Sequence, residues 1–234
     1  MRSKSFNLGL FGKKYVDTTF CLDFFKKGET NFCKKTTHSL GGIYNISKEF
    51  LPSIDLYYFE DDPVKSFIIS ELKEAKRSSI LVPEKTGNTP IIDYKSIDWL
   101  HIAYIDDLNH SEVIDSNRVN LSVDFCTEKP RENYLHLIKN SKLVFDSRER
   151  KKLYSNILVS TPIILHDENG CECIINGEKT FSQKIISIKN LNVNGAGDIF
   201  AGIFINKYYN SSLSEALNYT CTSTANYLKK KNEI

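Results

Sequence analysis

The chain of 234 residues reads as one α/β domain built on a mostly parallel sheet with helices on both faces. Three observations predict this. Apolar, β-forming runs alternate with helix-patterned segments along most of the chain. The composition, 41% hydrophobic and 26% charged, is that of a globular protein with enough length to bury a sizeable core. A strand-like run, Lys184 to Ile188, leads through the glycine turn Asn192-Val193-Asn194-Gly195-Ala196-Gly197-Asp198 into an apolar helix from Ile199 to about Tyr208. No internal repeat, low-complexity tract or linker divides the chain.

Taken in order, Phe6 to Phe11 predicts a first strand, and Tyr15 to Leu22 a second, rich in β-formers and carrying Asp17. Lys26 to Asn31 is a turn, and Phe32 to Thr37 returns as its hairpin partner. Ser39-Leu40-Gly41-Gly42 precedes a short amphipathic helix, Ile43 to Leu51, with glycines placed for a close backbone approach to a ligand. Ile54 to Phe59 is a strand. Asp62-Pro63 then predicts a helix through Lys76, with Pro in the first turn and Val64, Phe67, Ile68 and Leu72 at helical spacing. Ser79 to Val82 and Pro90 to Asp93 suggest another hairpin, and hairpins at 15–37 and 79–93 would form a small appended β layer.

Trp99 to Ile105 and Val119 to Phe125 are apolar strands, with Trp99 read as packing. Arg131 to Lys139 is a helix, Lys142 to Phe145 a strand, Ser147 to Asn156 a helix, and Pro162 to Leu165 a strand. Asn169-Gly170 and Asn176-Gly177 turn into Cys171 to Ile175 and Lys179 to Phe181, since Asn-Gly between apolar runs signals a hairpin. Leu213 to Lys230 is a long last helix, whose closing Lys229-Lys230-Lys231 reads as a solvated end suited to the dipole.

The charge balance excludes some functions. With 31 basic and 29 acidic residues the net charge is +2, and no basic stripe with interleaved aromatics marks a nucleic-acid partner. No segment reaches the ~20 apolar residues of a membrane span. Six cysteines, Cys21, Cys33, Cys126, Cys171, Cys173 and Cys221, show no paired CxxC spacing, so a reduced, cytoplasmic setting is expected. Cys171 and Cys173 would share one strand face as packing residues. His38, His101, His110 and His136 share no spacing and read as surface or satisfied side chains.

The glycine turn carries chemistry. At a helix start, amides unscreened by side chains join the positive end of the dipole to make an anion site, and Asp198 places a carboxylate beside it. Amides that neutralise a transferred phosphate, with an acid that takes the acceptor's proton, are the parts of a phosphoryl-transfer site. The same pattern also describes an ordinary glycine turn capped by Asp and packing a helix on a sheet.

Three features occur in order: a strand carrying Asp17, Gly41-Gly42 followed by Asn45, and Asn194-Gly195-Ala196-Gly197-Asp198-x-Phe200 opening a helix. Together they resemble the PfkB carbohydrate kinases of the ribokinase-like superfamily, over about Asn7 to Leu228. The resemblance implies a three-layer ribokinase-like fold, a mostly parallel central sheet flanked by helices, with the hairpins as a lid. It implies transfer of the γ-phosphate of ATP, with Mg²⁺, to a hydroxyl of a sugar, polyol or nucleoside. Asp198 would be the base, and Gly195, Ala196 and Gly197 the anion hole. Asp17, Gly41, Gly42 and Asn45 would bind substrate, Asp17 accepting hydrogen bonds from hydroxyls. His166, Asp167, Gly170, Asn194 and Cys221 would lie on the nucleotide side. Asp146 and Glu149 match the family's Asn-x-x-Glu, which organises magnesium, although a helix cap explains the same pair. Exposed lid strands would suit pairing of two copies.

The departures from the pattern are specific. Asn192 and Val193 stand where the family has Asp-Thr, and Asp146 stands where it has Asn. Asn45 follows the glycine pair one residue early. Leu165 to Gly170 keeps only the last glycine of the nucleotide-side pattern, and Asp167 adds negative charge there. The chain is shorter than typical members and stops after its last helix, which would leave the adenine side open. Besides a sugar kinase, a nucleoside kinase and a catalytically impaired sugar- or nucleotide-binding descendant are therefore expected readings.

Overall fold

A computed structural model describes residues 6–49, 54–73, 76–126, 128–185 and 193–232. Its centre is a 10-stranded sheet in which β1 (Phe6–Leu22) pairs in parallel with β3 (Ile54–Glu71) and β5 (Trp99–Ile102). The parallel ladder continues through β6 (Asn120–Asp124), β7 (Leu143–Ser147) and β8 (Ile163–Asp167). Antiparallel β9 (Gly170–Ile175) and β10 (Glu178–Lys184) close that side. On the other side β2 (Lys35–Gly42) pairs antiparallel with β1, and β4 (Lys76–Pro83) with β3.

The central parallel strands β5, β6, β7 and β8 are buried on both faces, as parallel strands require. One core joins Leu8, Leu10, Phe145 and Ile164 to α1 (Ile43–Ile46), α3 (Ala196–Tyr208) and α4 (Leu213–Asn232) through Ile43, Phe200, Phe204 and Leu217. The opposite core joins Phe11, Leu100, Ile102, Val123 and Val144 to α2 (Leu135–Asn140) and the 3-10 segment Arg148–Tyr154 through Ile138 and Tyr154. These are the three layers. Each fully buried Leu, Ile or Phe contributes roughly 1.5–3 kcal/mol. Among the described residues no helix is long and apolar enough to cross a membrane.

Several predicted elements differ. The two strands expected over 6–22 are one strand, bent at a register shift between Lys13 and Tyr15. The helix expected over Asp62 to Lys76 is the second half of β3. Its true period is two: Val64, Ser66, Ile68 and Ser70 are buried, while Lys65 and Phe67 are exposed. Pro63 is tolerated because it falls in the bulge, where Asp62 and Pro63 lie opposite Lys14 alone and need no ladder bond. β4 pairs with β3 and not with 90–93, which is not a strand. The hairpin partner of β1 begins at Lys35, later than expected, and runs through Gly42. The distal halves of β1 and β3, with β2 and β4, thus form a four-stranded projection in the order β2-β1-β3-β4. The helix expected over Ser147 to Asn156 is 3-10, and Arg131 to Lys139 is 3-10 before it becomes α2. Most of the run Lys184 to Ile188, and Asn192, lie outside the described residues.

Candidate active site

Helix α3 is apolar nearly all round, with Ile199, Phe200, Ala201, Ile203, Phe204 and Ile205 buried, so it inserts its start into the middle of the molecule. Gly195 caps it in the left-handed region, φ 75°, which a residue with a side chain seldom adopts. A Cβ there would also stand 2.7 Å from Asn45 Nδ2. The first bond of the helical ladder runs from Ile199 N–H to the Gly195 carbonyl, 3.0 Å. The Gly197 and Asp198 amides therefore lie ahead of the ladder. Ala196 is a correction to the expected anion hole: its N–H already donates to the Val193 carbonyl at 3.0 Å.

Asp198 is 2% exposed. Its Oδ2 accepts from Asn45 Nδ2 at 2.9 Å, and its Oδ1 accepts from the Tyr104 hydroxyl. Burial raises its pKa, and these two hydrogen bonds pull it back down. Tyr104 follows β5 in the left-handed region, φ 56°, a costly conformation for an aromatic residue. Burial, and next the Asp198 charge, hold its hydroxyl well above the ordinary tyrosine range.

Asp17, 5% exposed, lies on β1 just beyond the bend. Burial raises its pKa, and hydrogen bonds with the Ser66 and Asn194 side chains lower it. Gly41 is adjacent, and a Cβ there would collide with Asp17 Oδ2. Gly42, φ 63°, then turns the chain from β2 into α1 and so delivers Asn45 to Asp198. Lys48 donates to Asn45 Oδ1, Arg77 Nη1 to Asn194 Oδ1 at 2.7 Å, and Lys231 Nζ to the Asn194 carbonyl at 2.7 Å. Burial lowers the pKa of Lys48 and of Lys231, while Asp17 and Asp198 push both back up. Lys229, Lys230 and Lys231 are exposed in the last turn of α4, as expected, and Lys231 also reaches back to the glycine turn. Three cations from α1's extension, β4 and α4 converge on the two acids and the glycine turn.

The fold brings together Asp17, Gly41, Gly42, Asn45, Asn194, Gly195, Ala196, Gly197 and Asp198. His166 joins them, its ring 4.7 Å from that of Phe200 and 3.3 Å from a Cβ built on Gly197. Burial pushes its pKa down to about 4. The charge expected at Asp167 is paired, since Arg148 Nη1 donates to both carboxylate oxygens at 2.8 and 2.9 Å. Gly170, φ 128°, is required by the β9–β10 hairpin, where a Cβ would strike the Gln183 carbonyl. Cys221 is 4% exposed in the core beside Cys171. Among the described residues all six cysteines are free thiols.

The expected metal ligands do not fit a cation as they stand. Asp146 is fully buried; Arg131 Nη2 and the Tyr154 hydroxyl donate to its Oδ2 at 2.9 and 2.7 Å. Arg150 Nε and Ser147 N–H donate to its Oδ1 at 2.6 and 2.8 Å. Glu149 is exposed, and the side-chain cap is Ser147, whose Oγ accepts Glu149 N–H at 3.4 Å. Sequence reading missed Tyr104, Lys48, Arg77 and Lys231. Lys48 carries a signal, three residues after Asn45 on one helical face; the others have none, because their partners are far away in the chain.

No family model matches the sequence, and no curated protein matches it. Solved structures do match. A nucleoside kinase of the ribokinase family from Methanocaldococcus jannaschii superposes with TM-score 0.70 at 15% identity, over 97% of this chain and 92% of that one. A ribokinase from Cryptococcus neoformans var. grubii, in complex with ADP, gives 0.67 at 14%, over 97% and 100%. The Arabidopsis thaliana ribokinase complexed with ribose and ATP gives 0.65 at 14%, over 96% and 93%. The parallel sheet, its two helical layers and the strands projecting from one edge are therefore those of the ribokinase-like fold, and this chain has that fold.

Proposed function

We propose that the chain is a kinase that moves the γ-phosphate of ATP to a hydroxyl of a sugar or sugar-like acceptor. The observation that carries this reading is Asp198, a buried acid with a raised pKa, set at the start of α3 beside amides that precede the helical ladder. Asp17 holds acceptor hydroxyls. Asp198 takes the proton of the attacking hydroxyl, whose oxygen forms the new bond to the γ-phosphorus. The bond from that phosphorus to its bridging oxygen breaks, and the electron pair leaves on ADP. The Gly195, Gly197 and Asp198 amides, with Lys48, Arg77 and Lys231, face the negative charge of the transferred group. The projecting strands act as the lid, since Arg77 of β4 reaches Asn194 from there.

Mg²⁺ bound with the triphosphate supplies further charge neutralisation, but Asp146 and Glu149 offer it no free pair of ligands. β4 is exposed along its length, with Ile80 67% and Leu81 47% accessible, and a second copy is the proposed cover for this edge. A monomer by light scattering at micromolar concentration would dismiss that pairing. Free thiols agree with a reducing, cytoplasmic setting.

The test is a screen of the purified chain with ATP, Mg²⁺, pentoses, hexoses and nucleosides, repeated with Asp198→Asn. The variant should lose on the order of 10²–10⁴ in kcat; turnover at the parent rate would exclude the mechanism. The nucleoside reading is favoured by the Methanocaldococcus likeness, and selective turnover of nucleosides would decide for it. The impaired reading is favoured by Asp198 and Asp146, whose oxygens are all engaged. Calorimetry that shows sugar binding without ATP binding would decide for that one.

A further inference from the structure

We infer that Asp61, Asp62 and His110 form a binding site for a divalent transition cation of the zinc class, at the bulge where β3 leaves the central sheet. None of these residues belongs to the site around Asp198. One ligand atom from each lies within 4.8 Å of the others. The side chains of Asp61 and Asp62 are 0% and 4% exposed, and that of His110 is 16% exposed. The bulge puts Asp61 and Asp62 side by side and both inward, which the alternation of a regular strand forbids.

The lone pairs decide what this trio can do. Asp61 Oδ2 accepts two bonds, from Asn109 N–H at 2.8 Å and His110 N–H at 3.3 Å. Asp62 Oδ1 accepts two, from Thr86 N–H at 2.9 Å and its hydroxyl at 2.6 Å. The other two oxygens each take one bond among the described contacts: Asp61 Oδ1 from Asp62 N–H at 2.6 Å, and Asp62 Oδ2 from Asn109 Nδ2 at 3.1 Å. Those two, each with a spare lone pair, are the ones that face His110 Nε2, at 3.8 and 3.7 Å. Nε2 itself is buried and has no hydrogen-bond partner.

Three donor atoms therefore converge, and with the His110 proton on Nδ1 each of them turns a lone pair toward the others. Bonds of about 2.0–2.2 Å to a tetrahedral zinc set neighbouring ligand atoms roughly 3.4 Å apart, and His110 Nε2, at 3.8 and 3.7 Å from the two carboxylate oxygens, stands a few tenths of an ångström beyond that spacing. One imidazole with two carboxylates suits a borderline cation rather than Mg²⁺. The outer groups are also present. Asn109 and Thr86 fix the carboxylates, and Glu112 Oε1 stands 3.6 Å from His110 Nδ1, where a carboxylate favours the proton on Nδ1 and leaves Nε2 to bind metal. An open groove of about 380 Å³, lined by Lys14, Glu60, Asp61, Thr86 and Asn88, reaches the Asp61 side of the trio. A bound ion would tie the bend of β3 to the 109–110 and 86 segments.

The experiment uses the full chain, stripped with chelator, titrated with Zn²⁺, Co²⁺ and Mg²⁺ without nucleotide. The expected result is one tight Zn²⁺ per chain, a Co²⁺ visible spectrum free of thiolate charge transfer, and no competition by millimolar Mg²⁺. His110→Gln should weaken Zn²⁺ by at least about 100-fold with its far-ultraviolet dichroism unchanged, and Asn109→Ala by roughly 10- to 100-fold. Asp62→Asn serves in place of His110→Gln if that variant does not fold. If the trio is only a histidinium held by two carboxylates, Zn²⁺ will not bind tightly and will not raise the melting temperature. That result, a thiolate band in the Co²⁺ spectrum, or binding that survives both ligand variants, overturns the site.

Discussion

Two hydrogen bonds set the state of Asp198. Burial raises the pKa of this acid, and only its ionised form can accept a proton. The Tyr104 hydroxyl and Asn45 amide favour the ionised form, so the pKa rises less than burial demands. Tyr104→Phe removes the larger of these two opposing effects. The acid limb of the kcat/KM profile should then move to higher pH, and activity on that limb should fall on the order of tenfold, since a hydrogen bond to a charged group is worth about 1.5–3 kcal/mol. An unmoved acid limb would show that Tyr104 does not act on Asp198. Asp17 follows a similar logic with different partners: Gly41 lets its carboxylate lie against the backbone, and Ser66 and Asn194 keep it hydrogen-bonded.

At the scale of elements, the site depends on how closely α1 approaches α3. Gly202 is the contact point, because a Cβ there would collide with the Ile46 carbonyl oxygen. Gly202→Ala gains about 1 kcal/mol of helix propensity but overpacks a backbone contact, which costs about 1–3 kcal/mol. The collision involves rigid backbone, so it wins, and the melting temperature should fall. Asn45 precedes Ile46 by one residue, so the same change should lower kcat by loosening the 2.9 Å bond to Asp198. A variant as stable and as active as the parent would show that the helices slide apart freely. The bulge in β3 is the other decisive element, since it directs one long strand pair first into the core and then into the projection that carries Asp17 and supports Arg77.

At the scale of the molecule, the parallel sheet ends in a concentration of buried acids. Asp124, 5% exposed on β6, has its pKa raised well above the carboxylate range, first by burial and then by the charges of Asp198 and Asp146. The folded chain thus holds this proton more tightly than the unfolded one, so folding takes up a proton. Stability falls as pH rises from the unfolded carboxyl value, about 3.9, through the raised folded value. Asp124→Asn should raise the melting temperature at neutral pH, and the gain should vanish below about pH 4. Thermal scans across pH would check this, and an equal effect at every pH would refute it. Arg131 and Arg150 hold Asp146 in the same region, so the ion network there stabilises the sheet ends and is unavailable to a cation.

The positions of most strands, the apolar helix α3, the glycine turn and the asparagine-glycine hairpins were legible in the chain because each depends on neighbours within a few residues. So were Asp17, Asn45 and Asp198, through short motifs. The second half of β3 was not: Val64, Phe67, Ile68 and Leu72 fit a helical stripe as well as a strand, and pairing on both sides by β1 and β4 settled the matter. The roles of Tyr104, Arg77 and Lys231, the closed ion group at Asp146 and the trio at the β3 bulge were also hidden. Their partners lie tens of residues away, and local sequence carries no record of a distance that only packing creates.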